Sequence, residues 1–456
     1  MQDSTICAIS TGLTASGIGI VRISGDMAFS IINKIFKTKK DFDITSGESH
    51  KAYYGYIVSG GEVIDEVIVL VMKGPHTYTT EDTVEINCHG GIVVMKKILD
   101  LVVREGARIA DPGEFTKRAF VNGRIDLSRA EAVMDLISSK NDLALQNSVK
   151  LLGGSLYEKI KTMRETILEH TAYIEAALDD PEHYSLDNFG DKVLPDVDKL
   201  ISDVDNLLKT FDEGRIITEG IRTVIVGKPN VGKSTLLNLL SGSEKAIVTD
   251  IPGTTRDYLE EEINLDGITL NLVDTAGIRQ ANDEVERIGV ERSFENIQSA
   301  DLIIYVVDLS VPLDENDEKI MSYISGRRSI VLLNKSDLDS SINVDEIKAR
   351  FDNTLIISAK NDKGIDDLKD MIKTMFFKGD LSFNDEICIT NLRQKNLLSE
   401  ALDSLHLVKQ SVSEGLPEDI YTVDLMGAYN SLGFIIGESV ESDLVNEIFE
   451  KFCMGK

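Results

Sequence analysis

Gly227-Lys-Pro-Asn-Val-Gly-Lys-Ser234 sets Gly227, four residues, then Gly232, Lys233 and Ser234, the full pattern of a phosphate-binding loop. The residues ahead of it, Arg222-Thr-Val-Ile-Val226, are mostly β-branched and apolar, as a buried parallel strand requires. Those behind it, Thr235-Leu-Leu-Asn-Leu-Leu240, are good helix formers. Strand, loop and helix thus come in the order that phosphate binding needs. Amides freed by the glycines and by the helix N-terminus face the phosphates. The Lys233 ammonium answers the β and γ phosphates, and the Ser234 hydroxyl reaches a magnesium ion. A glycine-rich turn that merely contains Lys-Ser would not bring these flanks.

Residues 216 to about 378 go on alternating strands with helices. Ile263 to Leu265, the turn Asp266-Gly267 and Ile268 to Val273 read as a hairpin. Leu302 to Val307, Ile330 to Leu333 and Thr354 to Ile357 read as buried strands. The pattern predicts a doubly wound α/β sheet with its ligand at the strand C-termini. Four more motifs follow the loop in the order of a Ras-like GTPase. Asp274-Thr-Ala-Gly277 closes a strand, so Asp274 binds magnesium through water and the Gly277 amide senses the γ-phosphate. Asn334-Lys-Ser-Asp337 follows another strand, and the Asp337 carboxylate suits the donor pair of guanine, which adenine lacks. Ser358-Ala-Lys360 supports the base from the next loop. Gly253-Thr-Thr-Arg-Asp257 is a switch segment whose Thr255 serves as second magnesium ligand. The nucleotide set is Asn230, Val231, Gly232, Lys233, Ser234, Thr235, Thr254, Thr255, Asp274, Thr275, Ala276, Gly277, Asn334, Lys335, Asp337, Ser358, Ala359 and Lys360. Any one short motif arises by chance, but five in register do not.

One absence matters. Ras-type enzymes carry a Gln directly after Asp-x-x-Gly to orient the attacking water. Here Ile278 stands there and cannot hydrogen-bond water through its side chain. Either hydrolysis is slow or another group substitutes. Acidic residues lie just beyond, in Asn282-Asp-Glu-Val-Glu286, where a solvated acidic face is the plainer reading.

Around this domain the texture differs. Residues 1–118 mix strand-like runs (Thr5 to Ile9, Ile18 to Ile23, Val63 to Val71, Val84 to Cys88) with helical spacing from Gly91 to Arg104, and predict a small α+β domain. Residues 119–215 turn helical. Ser128-Arg-Ala-Glu131 reads as a capping box, and Leu156, Ile160, Met163, Ile167, Ile174 and Leu178 mark one face of a long helix that Pro181 ends. A third helix carries Val197, Leu200, Ile201, Val204, Leu207, Leu208 and Phe211. Residues 379–456 resume helices over Asn391 to Val412, Tyr421 to Leu432 and Ser442 to Phe452. The α/β domain at 216–378 is thus predicted to be inserted into a helical bundle domain made of two segments.

The 456-residue chain is 42% hydrophobic and 27% charged, a globular composition with no apolar run long enough to span a bilayer. Met1-Gln-Asp-Ser lacks the makings of a signal peptide, and Cys7, Cys88, Cys388 and Cys453 form no CxxC pair. Both predict a cytoplasmic protein with reduced thiols and no zinc site. His50, His76, His89, His170, His183 and His406 show no ligand spacing either. A formal charge of −29 repels polyanions, so action on RNA would need a basic partner or a concentrated basic patch.

Taken together, Gly227–Ser234, Asp250-Ile-Pro-Gly-Thr-Thr-Arg-Asp257, Asp274–Gly277 and Asp283-Glu-Val-Glu-Arg-Ile-Gly289 closely resemble the MnmE (TrmE) family of bacterial tRNA-modification GTPases. The likeness covers essentially the whole chain, including Gly113-Glu-Phe-Thr-Lys-Arg-Ala-Phe-Val-Asn-Gly-Arg124 and the ending Phe452-Cys-Met-Gly-Lys456. It implies a homodimer paired through the N-terminal domain. With a FAD- and NADH-using partner, MnmG, in a heterotetramer or larger complex, the family installs an aminomethyl or carboxymethylaminomethyl group. The target is C5 of the wobble uridine of certain tRNAs. The carbon comes from 5-formyltetrahydrofolate or methylenetetrahydrofolate, and Arg22, Glu85, Arg124 and Lys456 match the folate site. From the residues alone, those first three would read as surface ion pairs and Lys456 as a frayed tail.

The resemblance also supplies what the missing Gln leaves open. A potassium ion held by Asn230, Thr249, Ile251 and Thr254 provides charge where other GTPases insert an arginine, upon dimerisation of the GTPase domains. Family resemblance alone adds Thr249 to the nucleotide set. Glu286 matches the water-positioning acid, so the catalytic set is Glu286, Lys233 and Thr255, with Ser234 and Thr255 on magnesium. Two stretches depart from the family pattern: Thr11-Gly-Leu-Thr-Ala-Ser-Gly17, and Asp180 where an aromatic usually precedes the proline. Cys453 reads as packed rather than reactive. The rival reading is a ribosome-assembly or regulatory G-protein acting by binding alone. Such relatives append a basic RNA-binding domain, whereas this chain ends in acidic helices.

Overall fold

The computed structural model describes residues 4–39, 42–242, 261–265, 267–273, 298–377, 387–440, 442–450, 452 and 455. Thr249, Ile251, Thr254, Thr255, Asp274, Thr275, Ala276, Gly277, Glu286, Cys453 and Lys456 lie outside the described residues. Backbone contacts divide the chain into two compact units. One comprises residues 1–134, 151–198 and 400–456, the other residues 135–150 and 199–399.

The first unit begins with a seven-stranded sheet: β1 Ile6–Ile9, β2 Ser16–Ser24, β3 Phe36–Lys37, β4 Lys51–Ser59, β5 Glu62–Met72, β6 Thr83–Gly90 and β7 Arg108–Ile109. Its order is β3-β4-β5-β6-β2-β1-β7, antiparallel except where β7 runs parallel to β1. Alternate side chains (Val21 and Ile23, Val67, Val69 and Val71, Val84 and Ile86) point to one face. Helices Ala28–Ile35 and Ile92–Arg104 cover that face with Ile31, Ile32, Met95, Ile98 and Val102. Further along, helix Ser155–Asp179 packs on Glu418–Ile436. Between them Arg164, 8% exposed, donates through Nε to the Tyr429 carbonyl (3.2 Å) and stacks on the Tyr429 ring at 4.0 Å.

The second unit holds a six-stranded sheet: β8 Ile221–Val226, β9 Glu261–Leu265, β10 Ile268–Leu272, β11 Leu302–Asp308, β12 Ser329–Asn334 and β13 Thr354–Ile356. The order β13-β12-β11-β8-β10-β9 is parallel save for the β9–β10 hairpin. Every residue of β11 and β12 is buried, as central parallel strands covered on both faces must be. The period of two sorts them. Leu302, Ile304 and Val306 pack with Leu236, Leu237 and Leu240 of helix Lys233–Gly242 and with Leu368 and Ile372 of Ile365–Phe376. Ile303, Tyr305 and Val307 pack with Met321 and Ile324 of Glu315–Ile324 and with Ile347 of Val344–Arg350. The described architecture is an α+β N-terminal domain, helices from two separated segments and an inserted α/β domain of GTPase topology.

Residues 135–150, helical in sequence texture, are built into the second unit. The Asn141 amide donates to the Ile217 carbonyl (2.9 Å) and to Thr269 Oγ1 (3.1 Å). Asn147 exchanges both its amide hydrogen bonds with the Cys388 backbone, at 3.0 and 3.1 Å.

Two local expectations are corrected. Helix Leu127–Ser138 is capped by Asp126, whose carboxylate accepts from the Arg129 amide at 3.1 Å, so Ser128 sits inside the helix and donates to that same carboxylate. The apolar stripe from Val197 to Phe211 spans two helices, Phe189–Lys209 and Phe211–Glu219. At Thr210 both the amide and the hydroxyl donate to the Leu207 carbonyl, which tightens the turn and ends the first helix.

Candidate functional site

The loop after β8 is shaped by two glycines whose left-handed backbone and close neighbours leave no room for a Cβ. Gly232 has φ +105°, and a Cβ there would lie 2.2 Å from Asn334 Nδ2. At Gly227 (φ +149°) a Cβ would meet the Val306 carbonyl at 2.4 Å. Asn230 also takes a left-handed conformation, φ +61°, so the chain wraps as an anion-binding concavity does. Lys233 begins the following helix, and its ammonium donates to the carbonyls of Gly227 (2.6 Å) and Lys228 (2.7 Å). Burial holds its pKa below the ordinary lysine value. An ammonium held by neutral carbonyls in a partly dry site is poised to prefer a phosphate when one arrives. Ser234 and Thr235, on the first helical turn, are exposed.

Asn334, at the end of β12 and 2% exposed, joins this loop to the segments expected from the sequence to read the base. Its Nδ2 donates to the Val231 carbonyl at 2.8 Å, while its Oδ1 accepts from the Ala359 amide at 3.0 Å. One side chain therefore fixes the phosphate loop, Asn334-Lys-Ser-Asp337 and Ser358-Ala-Lys360 in register. Lys335 turns left-handed (φ +65°) and its ammonium pairs with Asp308 at the end of β11. Asp337 is presented by Ser358, whose Oγ donates to Asp337 Oδ1 at 2.7 Å, and this bond lowers the carboxyl pKa. The Asp337 carboxylate stays ionised and exposed, the state required to accept from guanine N–H groups. All the described nucleotide residues expected from the sequence thus meet at the C-terminal ends of β8, β11, β12 and β13, the place where such sheets bind ligands.

A second group gathers in the N-terminal domain. Arg22 on β2 stands opposite Glu85 on β6 in the ladder, and its guanidinium grips Glu85 Oε1 through Nε and Nη2, both at 2.8 Å. The Arg22 guanidinium also lies 5.9 Å from the Tyr78 ring, and Arg124 lies 4.8 Å from that ring and donates to the Tyr78 carbonyl. The chain's end approaches the same place: the Gly455 carbonyl accepts from Ser10 Oγ (3.0 Å) and from Arg22 Nη1 (3.4 Å). Arg22, Glu85 and Arg124 are therefore neighbours. Tyr78, which joins them, is not marked by any motif in the sequence. Thr116 of the Gly113–Arg124 stretch holds its hydroxyl at 2.9 Å, and the Asn122 amide donates to the Thr79 carbonyl.

Comparisons with known proteins identify the family. Residues 5–124 match the family described as GTP-binding protein TrmE N-terminus, and residues 127–453 match the MnmE helical domain. A tRNA modification GTPase MnmE of Lachnoclostridium phytofermentans is 56% identical over 458 residues, all of both chains. The protein of the same name in Acetivibrio thermocellus is 48% identical over 459 residues, again all of both. Among solved structures, Aquifex aeolicus Era bound to GDP·AlF4− is 29% identical, covering 41% of this chain and 67% of its own, at a TM-score of 0.27 that adds no weight. Two family profiles spanning nearly the whole chain, and full-length identity far above the level of chance, lead to one conclusion: the chain belongs to the MnmE (TrmE) family of tRNA modification GTPases.

Proposed function

We propose that this chain is a potassium-stimulated GTPase and one half of an enzyme that modifies the wobble uridine of tRNA. The observation that carries the GTPase reading is the buried Asn334, which locks the phosphate loop to the two segments that read the base. Lys233 would receive the β and γ phosphates, Ser234 with Thr255 would hold magnesium, and Asp337 would select guanine. When bound, potassium at Asn230, Thr249, Ile251 and Thr254 supplies positive charge beside the phosphates. Glu286 then orients the attacking water that Ile278 cannot hold.

The cluster around Tyr78 fits a folate. Two guanidiniums flank one aromatic ring, an arrangement suited to a flat heterocycle and to carboxylates, and Glu85 offers an acceptor for ring N–H groups. On this reading Arg22, Glu85, Arg124 and Lys456 bind 5-formyltetrahydrofolate or methylenetetrahydrofolate, and the product is an aminomethyl or carboxymethylaminomethyl group at uridine C5. The net charge of −29 supports a division of labour in which a FAD protein, MnmG, supplies most of the tRNA contacts to a homodimer of this chain in the cytoplasm. The domains on this reading are 1–118 for folate and dimerisation, 119–215 with 379–456 for the helices, and 216–378 for GTP, with residues 135–150 and 199–215 of the helical segment packed into the compact unit of the GTP domain. The test is twofold. The purified chain turns over GTP and leaves ATP untouched. It also binds 5-formyltetrahydrofolate, and Arg124→Ala abolishes that binding while GTP turnover persists. Equal use of both nucleotides, or folate binding indifferent to Arg124, contradicts the proposal.

A further inference from the structure

Lys228, the second residue of the phosphate loop, makes contacts that none of the motif roles uses. Its ammonium lies 2.6 Å from Asp317 Oδ2 and 3.0 Å from Asp314 Oδ2, at the start of helix Glu315–Ile324. Asp317 is 2% exposed, so its charge needs compensation. Its Oδ1 accepts from the buried Tyr305 hydroxyl (2.8 Å) of β11, and its Oδ2 closes a capping box with the Asp314 amide (3.0 Å). These three groups, a strand hydroxyl, a helix cap and a loop ammonium, converge on one carboxylate. Meanwhile the main-chain carbonyl of Lys228 accepts from the Lys233 ammonium at 2.7 Å. The side chain of Lys228 is thus anchored to the rigid sheet and helix while its backbone holds the phosphate-binding lysine.

We propose that Lys228 is a positioning residue for nucleotide binding. Anchored by Asp317 and Asp314, it keeps the loop in its phosphate-receiving curve before ligand arrives, without itself touching the substrate. This rests on the reading of the loop as a GTP site. Without the anchor the loop samples other curvatures, and apparent affinity falls by the fraction of time it is misplaced. The turnover of already bound GTP, whose phosphates then order the loop, is spared.

The test uses the full-length chain, with fluorescent GDP for affinity and dissociation rate and GTP for steady-state kinetics. Lys228→Met alone leaves the Asp317 charge uncompensated and risks misfolding, so the decisive variant is Lys228→Met with Asp317→Asn. That pair removes both charges and keeps an acceptor for Tyr305 but gives up the capping bond from the Asp314 amide, so Asp317→Asn alone is the reference against which it is read. The double variant melts close to Asp317→Asn alone, binds GDP about tenfold more weakly than that single variant with faster release, and keeps kcat within about twofold at saturating GTP. Lys228→Arg, which keeps a cation able to bridge both carboxylates, restores affinity. Unchanged GDP affinity in the double variant, or a fall in kcat with affinity intact, overturns the inference. If wild-type chain itself fails to bind GDP, the GTP-site reading falls and takes this inference with it.

Discussion

Replacing Asn334 by Ala removes two hydrogen bonds at a point that is 2% exposed. A neutral hydrogen bond contributes about 1 kcal/mol net, and a buried partner left unpaired costs about 1–3 kcal/mol. With the Val231 carbonyl and the Ala359 amide both stranded, the loss lies at about 2–6 kcal/mol. Part of it appears in the ligand-free fold. The remainder appears when phosphates and base must be gripped at once, because the two loops then have to be in register. If only about 2 kcal/mol falls on that step, GDP binding weakens about thirtyfold. The assay is equilibrium binding of fluorescent GDP by the full-length variant, with urea unfolding followed alongside. Two compact units make a single unfolding free energy ill-defined, so the transition of the nucleotide-binding unit is read by its sensitivity to GDP. Asn334→Asp adds a control: it keeps an acceptor for Ala359 but sets an oxygen against the Val231 carbonyl, so it also binds weakly. Affinity within about threefold of wild type in the Ala variant, with the unfolding transition unmoved, would refute the idea that this side chain aligns the site.

Other perturbations follow, the first two from the same geometry and the last from the proposed function. Gly232→Ala forces a Cβ onto Asn334 Nδ2 at 2.2 Å from a left-handed backbone, so GTP binding is lost; a variant that retains wild-type affinity would show the contact to be pliable. In acid, two carboxyls matter. Burial opposes ionisation of Glu114, but Arg108, the Asp111 amide and Arg118 outweigh it; burial likewise opposes ionisation of Asp308, which Lys335 and Ser310 overcome. Both folded pKa values lie below the ordinary range, so their contribution is full above about pH 4–5 and is lost as pH falls through the folded values. Urea midpoints measured from neutrality downward should decline only in that acid window, and Asp308→Asn should flatten the decline. GTP hydrolysis should run faster in potassium than in sodium at equal ionic strength, and Glu286→Ala should keep GTP binding while losing turnover. Identical rates in the two salts, or normal turnover in the variant, would remove the potassium and Glu286 assignments respectively.

Much of the nucleotide site was legible because its chemistry is local. A glycine that must accept φ +105° and a lysine beside it form a spacing that sequence displays directly. Buried strands such as β11 and β12 announce themselves by unbroken apolar runs, and the β9–β10 hairpin by its Asp-Gly turn. What escaped depends on residues far apart in the chain. Tyr78 sits in a loop with no motif, yet it unites Arg22 from β2 with Arg124. Lys228 has no role in the loop's spacing pattern, and its partners, Asp314 and Asp317, come more than eighty residues later. Residues 135–150 share the helical texture of their neighbours, and only tertiary contacts such as Asn141 with Thr269 assign them to the nucleotide-binding unit. The cap at Asp126 was missed because Ser128 and Glu131 mimic a capping box by spacing, while an adjacent carboxylate reaches the free amide first.

The most direct test of the whole account is nucleoside analysis of tRNA from cells lacking this chain, with the wild-type gene or the Gly232→Ala variant restored. The account predicts that C5-modified wobble uridine disappears on deletion, returns with the wild-type gene and stays absent with the variant. Modification that persists without the chain, or that the nucleotide-blind variant restores in full, would contradict it.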